Sequence, residues 1–189
     1  YRTGVCLIFV TPDGNRTMAA NLGANTQLNS DCLDFEQLRN AEFLVFDNFT
    51  LSAISNFNDL KFLYECPAEI KICFGVSVFL LVEFFDLLDI LLQLKLFLIY
   101  GNIEEIRALQ KKLQFDTENI LQSEGENGAM FNQLKVNAPD IISVNTNGAG
   151  DALVGTFLAK YKELSTEICL KQAVEYASKV CCEKGPRLT

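Results

Sequence analysis

Continuous apolar runs alternate along the chain with segments whose apolar residues recur every three or four positions, a pattern that predicts strands and helices in turn. Gly4 to Val10 is an apolar strand, Thr11-Pro12-Asp13-Gly14 a turn, and Arg16 to Asn21 a returning strand, so the chain opens on a hairpin. Asp34 to Arg39 reads as a short helix and Glu42 to Asp47 as a buried strand. A helix over Ser52 to Tyr64 and a strand over Ile70 to Val76 follow. Val78 to Tyr100 is the most hydrophobic stretch, but Glu83, Asp86, Asp89 and Gln93 recur at three- or four-residue spacing. One polar stripe on an apolar helix belongs to a packed surface helix, not to a membrane span. That helix is expected to end near Leu94, with Leu96 to Tyr100 the next strand.

Ile106, Leu109 and Leu113 continue as a helix, and Asn119 to Met130 reads as strand, glycine turn and strand. Asp140 to Val144 predicts a short buried strand. Leu153, Phe157, Leu158 and Tyr161 mark a helix from Ala152 to Tyr161. The final helix is expected to be capped by Ser165, to carry Leu170, Val174, Ala177 and Cys181 on one stripe, and to stop at Lys184-Gly185-Pro186. The alternation predicts a doubly wound, mostly parallel α/β sheet with helices on both faces and a protruding hairpin.

Composition narrows the chemistry. The 189 residues, 49% of them hydrophobic, suffice for one α/β domain with a sizeable core, and the reading is a single domain over residues 1–189. A net charge of −8 without a basic stripe argues against a nucleic-acid partner. The seven cysteines have no metal-ligand spacing and suit reduced thiols in the cytoplasm. Histidine is absent, which removes histidine triads and histidine metal sites. The chain starts at Tyr1 without a methionine or signal peptide, and reads as part of something longer.

Asn145-Thr146-Asn147-Gly148-Ala149-Gly150-Asp151 joins the expected strand at 140–144 to a helix. A Gly-Ala-Gly turn leaves backbone N–H groups uncovered at a helix N-terminus, where the dipole adds positive character, and so suits an anion. A carboxylate at Asp151 repels a resting phosphate, but it can take the proton of an attacking hydroxyl. A lone Gly-x-Gly would be only a tight turn. The seven residues together, with Ala152 to Leu158 after them, resemble the signature of the ribokinase-like (phosphofructokinase B) family of small-molecule kinases. Asn145 departs from that signature, which usually has aspartate there.

The resemblance implies a ribokinase-like fold, apparently without its N-terminal portion, and gives roles to further residues. Asn102 and Glu105, alone an N-cap with an acidic first turn, match the Asn-x-x-Glu motif that organises magnesium and its waters. Ser123, Gly125 and Gly128, which also read as a plain hairpin, match the loop that lies against ATP, together with Gly148 and Gly150. Ala177 would flank the adenine. The hairpin of residues 1–24 is similar to the lid of the family's adenosine kinase branch. On that match Cys6, Met18, Ala20, Leu22, Phe49 and Asn147 border the nucleoside, and Arg16 neutralises the moving phosphoryl group. Taken alone, Arg16 is a solvated arginine and Phe49 a core residue.

The resemblance therefore implies phosphoryl transfer from ATP-magnesium to the 5′-hydroxyl of adenosine. Asp151 would be the base, and the amides of Gly148, Ala149 and Gly150 the anion hole. A sugar kinase of the same family and an inactive nucleotide-binding remnant are the alternatives.

Overall fold

The first two apolar runs pair with each other. β1 (Val5–Val10) and β2 (Arg16–Asn21) form an antiparallel two-stranded sheet in which Cys6 stands opposite Ala20 and Ile8 opposite Met18. The computed structural model describes residues 1–11, 16–29, 32, 34–47, 50, 63, 66–77, 94–112, 119–186 and 188. Both faces of β1 are exposed, as expected of a protruding hairpin. A 3₁₀ turn, Gly23–Gln27, leads away from it. Asp34 caps helix α1 (Phe35–Arg39), its carboxylate accepting from the amides of Glu36 and Gln37 at 3.0 and 3.1 Å.

The remaining strands form one six-stranded sheet: β3 (Phe43–Asp47), β4 (Lys71–Gly75), β5 (Leu96–Asn102), β6 (Ile120–Ser123), β7 (Ala129–Phe131) and β8 (Leu134–Val136), in that spatial order. β3 to β6 run parallel, and β7 and β8 return antiparallel. Parallel neighbours need crossover segments that cover the sheet, and the inner strands β4 and β5 are largely apolar and buried. Helix α2 (Ile103–Lys112) packs Ile106 and Leu109 onto Phe46, Phe74 and Ile99 on one face. Helices α3 (Ala149–Lys160) and α4 (Thr166–Cys181) pack Phe157, Leu158, Leu170 and Val174 onto Cys73, Leu98 and Leu121 on the other. Fully burying a side chain such as Phe157 is worth about 1.5–3 kcal/mol. Burial also pushes the Cys73 thiol up to about 12, only partly offset by the Lys71 charge. The Lys71 ammonium itself lies 4.8–5.2 Å from the ring centres of Phe43, Phe97 and Tyr161, which ties the far end of α3 to the sheet.

Three expectations need correction, and one strand was not foreseen. Residues 140–144 form no strand: Ile142 is 89% and Val144 58% exposed, and the amides of Val144 and Asn145 donate to the carbonyl of Cys181 at 2.8 and 3.1 Å. Their backbone is satisfied by the end of α4, so no sheet partner is needed. Ser165 occupies the N-cap position of α4, yet its side chain makes no capping bond. β3 is buried only at Phe46; Val45 is exposed because β3 is an edge strand and no helix among the described residues covers that side of it. β8 was not expected. It is set by Asn132, whose positive φ of 55° makes a tight turn and whose side-chain oxygen accepts from the Ile120 amide at 2.8 Å.

The turn at 12–15, most of the helices expected over 52–64 and 78–94, and Leu113 lie outside the described residues; Leu63, which is described, is buried beside Phe46. Among the described residues no helix is long and apolar enough to cross a membrane.

Candidate active site

Asn145 organises the turn that leads into α3. Its side-chain oxygen accepts from the Asn147 amide at 2.9 Å, and its side-chain nitrogen donates to the carbonyl of Lys184 at 2.9 Å. A carboxylate could supply the first bond and not the second, so asparagine suits this closure against the C-terminal segment. Gly148 then takes a φ of +81°, where an added Cβ would also collide with the carbonyl of Pro186. α3 begins at the next residue.

The amides divide unequally. The N–H of Ala149 donates to the carbonyl of Thr146 at 3.3 Å, a long bond but an internal one. In this conformation the Ala149 amide, read from the sequence as part of the anion hole, is engaged within the turn. The N–H groups of Gly148, Gly150 and Asp151 have no protein acceptor among the described residues. The bare set is thus shifted one residue into the helix. The carboxylate of Asp151 is exposed in that first turn, with no hydrogen bond or ion pair among the described residues.

The ends of β5 and β6 bring two further predicted groups together, since Asn102 and Ser123 are register partners. The Asn102 side-chain oxygen accepts from the amides of Glu104 and Glu105, both at 2.9 Å, while Glu105 Oε2 accepts from the Asn102 amide at 2.8 Å. This reciprocal cap holds both side chains at the start of α2. The other carboxylate oxygen of Glu105 has no hydrogen bond among the described residues, and burial, opposed by the Asn102 amide and reinforced by the Glu104 charge, holds its carboxyl above the usual range. A half-buried carboxylate with one open oxygen fits a magnesium ion held largely through water, as that ion prefers. Among the described residues no cluster of three or more His, Cys, Asp or Glu could cage a metal.

Because the folded pKa of Glu105 lies above the unfolded value, its contribution to stability is fullest below 4.5 and is lost as pH rises through the folded pKa. Glu105→Gln keeps an acceptor for the Asn102 amide and removes that loss. The variant is expected to melt no lower than the wild type at pH 7 and to show a flatter melting profile between pH 4 and 8. Glu105→Ala, which loses the bond, should be destabilised by about 1 kcal/mol. Thermal melts across pH check both.

Beyond Ser123, both loop glycines have positive φ, Gly125 at 59° and Gly128 at 91°. A Cβ on Gly128 would strike the Val136 carbonyl, so the hairpin can close only with glycine there. Ala177 is half-buried against the core under α4. On the hairpin, register puts Cys6, Met18 and Ala20 on one face, exposed. Arg16 opens β2 opposite Val10; its side chain and Phe49 lie outside the described residues.

Leu22 lines an open cavity of about 470 Å³, together with Asn25, Gln27, Cys32, Asp47 and Thr50. Apart from Leu22, these lining residues were not singled out from the sequence. Nor was Tyr100, whose ring lies over Gly75: a Cβ on that glycine would come within 2.7 Å of it. The only sequence signal was an acid, Asp47, at the end of a predicted parallel strand, where open α/β sheets bind ligands.

Uncovered amides and an exposed acid thus meet at the start of a helix in a parallel α/β sheet protein. Residues 78–189, more than half of the chain, match the model of the pfkB family carbohydrate kinases, and the chain belongs to that family. No curated protein sequence matches it. Its fold is similar to that of a probable sugar kinase from Rhizobium etli CFN 42, at 25% identity and a TM-score of 0.86 over 97% of this chain and 62% of that one. It is also similar to adenosine kinase from Sinorhizobium meliloti, at 23% identity and 0.87 over 98% and 63%. A third likeness is to adenosine kinase from Schistosoma mansoni in complex with 2-fluoroadenosine, at 19% identity and 0.84 over 99% and 64%. The chain thus spans less than two thirds of the length of each of these structures. The ribokinase-like architecture read from the sequence is the one observed.

Proposed function

We propose that the protein transfers the terminal phosphoryl group of ATP to a hydroxyl of a small polyhydroxylated acceptor, with the 5′-hydroxyl of adenosine as the preferred target and AMP as the product. The observation that carries this reading is the pairing of an exposed carboxylate at Asp151 with the bare amides of Gly148, Gly150 and its own residue. The amides suit charge on the transferred group, and the carboxylate suits the proton leaving the acceptor. Arg16 closes over the phosphates from the hairpin. Ser123, Gly125 and Gly128 line the nucleotide, with Ala177 beside its base and Asn147 on the acceptor side of the turn. Asn102 and Glu105 hold the waters of magnesium, which when bound neutralises phosphate charge.

Adenosine is favoured over a bare sugar because Cys6, Met18 and Ala20 present one largely apolar hairpin face, which suits a flat base. Leu22 and Phe49 would complete that surface. The likeness to a structure holding 2-fluoroadenosine supports the same choice. The sugar-kinase alternative draws on the Rhizobium etli relative. All seven cysteines are free thiols, which suits action in the reducing cytoplasm.

The test is ATP-dependent phosphorylation across a panel of nucleosides and sugars with magnesium present and removed. Adenosine is expected to show the highest kcat/KM, with turnover lost on chelation. Preference for ribose or fructose would establish the sugar-kinase alternative. ATP binding without transfer to any acceptor would overturn the enzyme reading in favour of a nucleotide-binding remnant.

A further inference from the structure

We infer that the turn before α3 carries a site of self-modification: the backbone nitrogen of Gly148 attacks the side-chain amide of Asn147, and the carboxylate that results weakens the turn's hold on phosphate. The chain has two Asn-Gly pairs, Asn127-Gly128 and Asn147-Gly148. Asparagine before glycine suits this chemistry, because glycine has no Cβ to shield its nitrogen or restrict its approach. The fold treats the two pairs differently. The N–H of Gly128 donates to the carbonyl of Gly125 at 3.1 Å, closing the 3₁₀ turn Gly125–Asn127, and Gly128 is buried. With its proton engaged, that nitrogen cannot turn onto the neighbouring side chain while the hairpin is folded. The Gly148 N–H has no protein acceptor among the described residues, and the side-chain amide of Asn147 makes no hydrogen bond there either. Nucleophile and electrophile thus stand unengaged in one half-buried turn. Exposure alone would favour Asn127, which is the more exposed of the two; hydrogen bonding decides for Asn147.

The chemistry needs only water. The Gly148 nitrogen, having given up its proton, bonds to Cγ of Asn147; the Cγ–Nδ2 bond breaks, and the departing nitrogen takes a proton and leaves as ammonia. Water then opens the cyclic imide at either carbonyl and returns a proton to the Gly148 nitrogen. One opening gives aspartate. The other gives isoaspartate, in which the main chain runs through the former side chain and is longer by a carbon. Either way a neutral amide becomes a carboxylate, at the helix start that holds the bare amides of Gly148, Gly150 and Asp151. That charge takes up the positive potential an incoming phosphate would use, and repels the phosphate as well. Isoaspartate also displaces Gly148, which sits so close to the Pro186 carbonyl that a Cβ would collide with it. The modification stands apart from the kinase reading; only its effect on ATP rests on that reading.

The full chain, incubated at mildly alkaline pH and then digested for peptide mapping, should show aspartate and isoaspartate at position 147 while Asn127 stays intact. The same incubation in denaturant should modify both pairs, since the bond from Gly128 to Gly125 is then gone. ATP with magnesium should slow the reaction at Asn147, because a phosphate on the Gly148 N–H holds its proton in place. Transfer should fall in step with modification of Asn147, and the ATP KM should rise about 3- to 30-fold, as it should in freshly made Asn147→Asp. Asn147→Gln, whose longer side chain closes the ring far more slowly, should keep its starting activity through the incubation, whatever that activity is. Folded protein modified first at Asn127, or at neither pair, overturns the inference. So does activity lost as fast in Asn147→Gln as in the wild type, or an unchanged ATP KM in modified protein that still transfers. Modification at Asn147 that ATP does not slow, in protein that transfers to no acceptor, sustains the site and sinks the kinase reading.

Discussion

Asp151→Asn is expected to lower turnover by about 10²–10⁴-fold, the range lost when a positioned general base is removed. Asparagine keeps the size and the helix-start compatibility of the native residue, so the fold should be unaffected: the carboxylate is exposed and makes no hydrogen bond or ion pair among the described residues. Removing a negative charge beside the amides of Gly148 and Gly150 also removes repulsion of a bound phosphate. ATP affinity is therefore expected to hold or rise while transfer fails, and single-turnover rates with a separate nucleotide titration would separate the two. Normal turnover in this variant would end the base assignment for Asp151. Unchanged turnover together with weakened ATP binding would point to a purely structural acid.

The second large effect divides two glycines two residues apart, in the same motif but not in the same environment. Gly148→Ala forces an alanine to a φ of +81° and drives its Cβ into the Pro186 carbonyl, which belongs to backbone and cannot swing away. A cost of roughly 2–4 kcal/mol is expected, or a fall in Tm of about 4–16 °C for a chain of this size. Gly150→Ala meets no atom within 4 Å and sits inside the helix, so its Tm should hold or rise slightly. Yet the open space around position 150 is the space an anion needs to reach the bare amides. Its ATP KM should rise by about tenfold or more, a cost of roughly 1.4 kcal/mol. Melting curves and nucleotide kinetics on the pair separate folding from phosphate handling. Wild-type kinetics in Gly150→Ala would place the phosphate away from this turn.

Much of the architecture was legible because parallel strands and amphipathic helices write their burial into local apolar spacing. Strands β1 to β7 and helices α1 to α4 stand close to where the pattern put them. The reading failed where a local signal met a non-local answer. Ile141, Ile142 and Val144 have the composition of a strand, but the amides of Val144 and Asn145 are taken by Cys181, and the apolar side chains stay exposed. β8 depended on one left-handed asparagine, a conformation that asparagine permits but does not announce.

By itself, the order of residues determined the Gly-Ala-Gly-Asp turn, the reciprocal cap of Asn102 and Glu105, and the succession of strands and helices. Each of these depends on groups a few positions apart, whose interactions are set by backbone geometry. Only the tertiary structure decided that Asp47, Gly75 and Tyr100 share one row, and that Gly148 must be glycine because Pro186 lies against it. Strand register and the approach of distant segments come from packing the whole sheet against its helices, and no local run of residues carries that information.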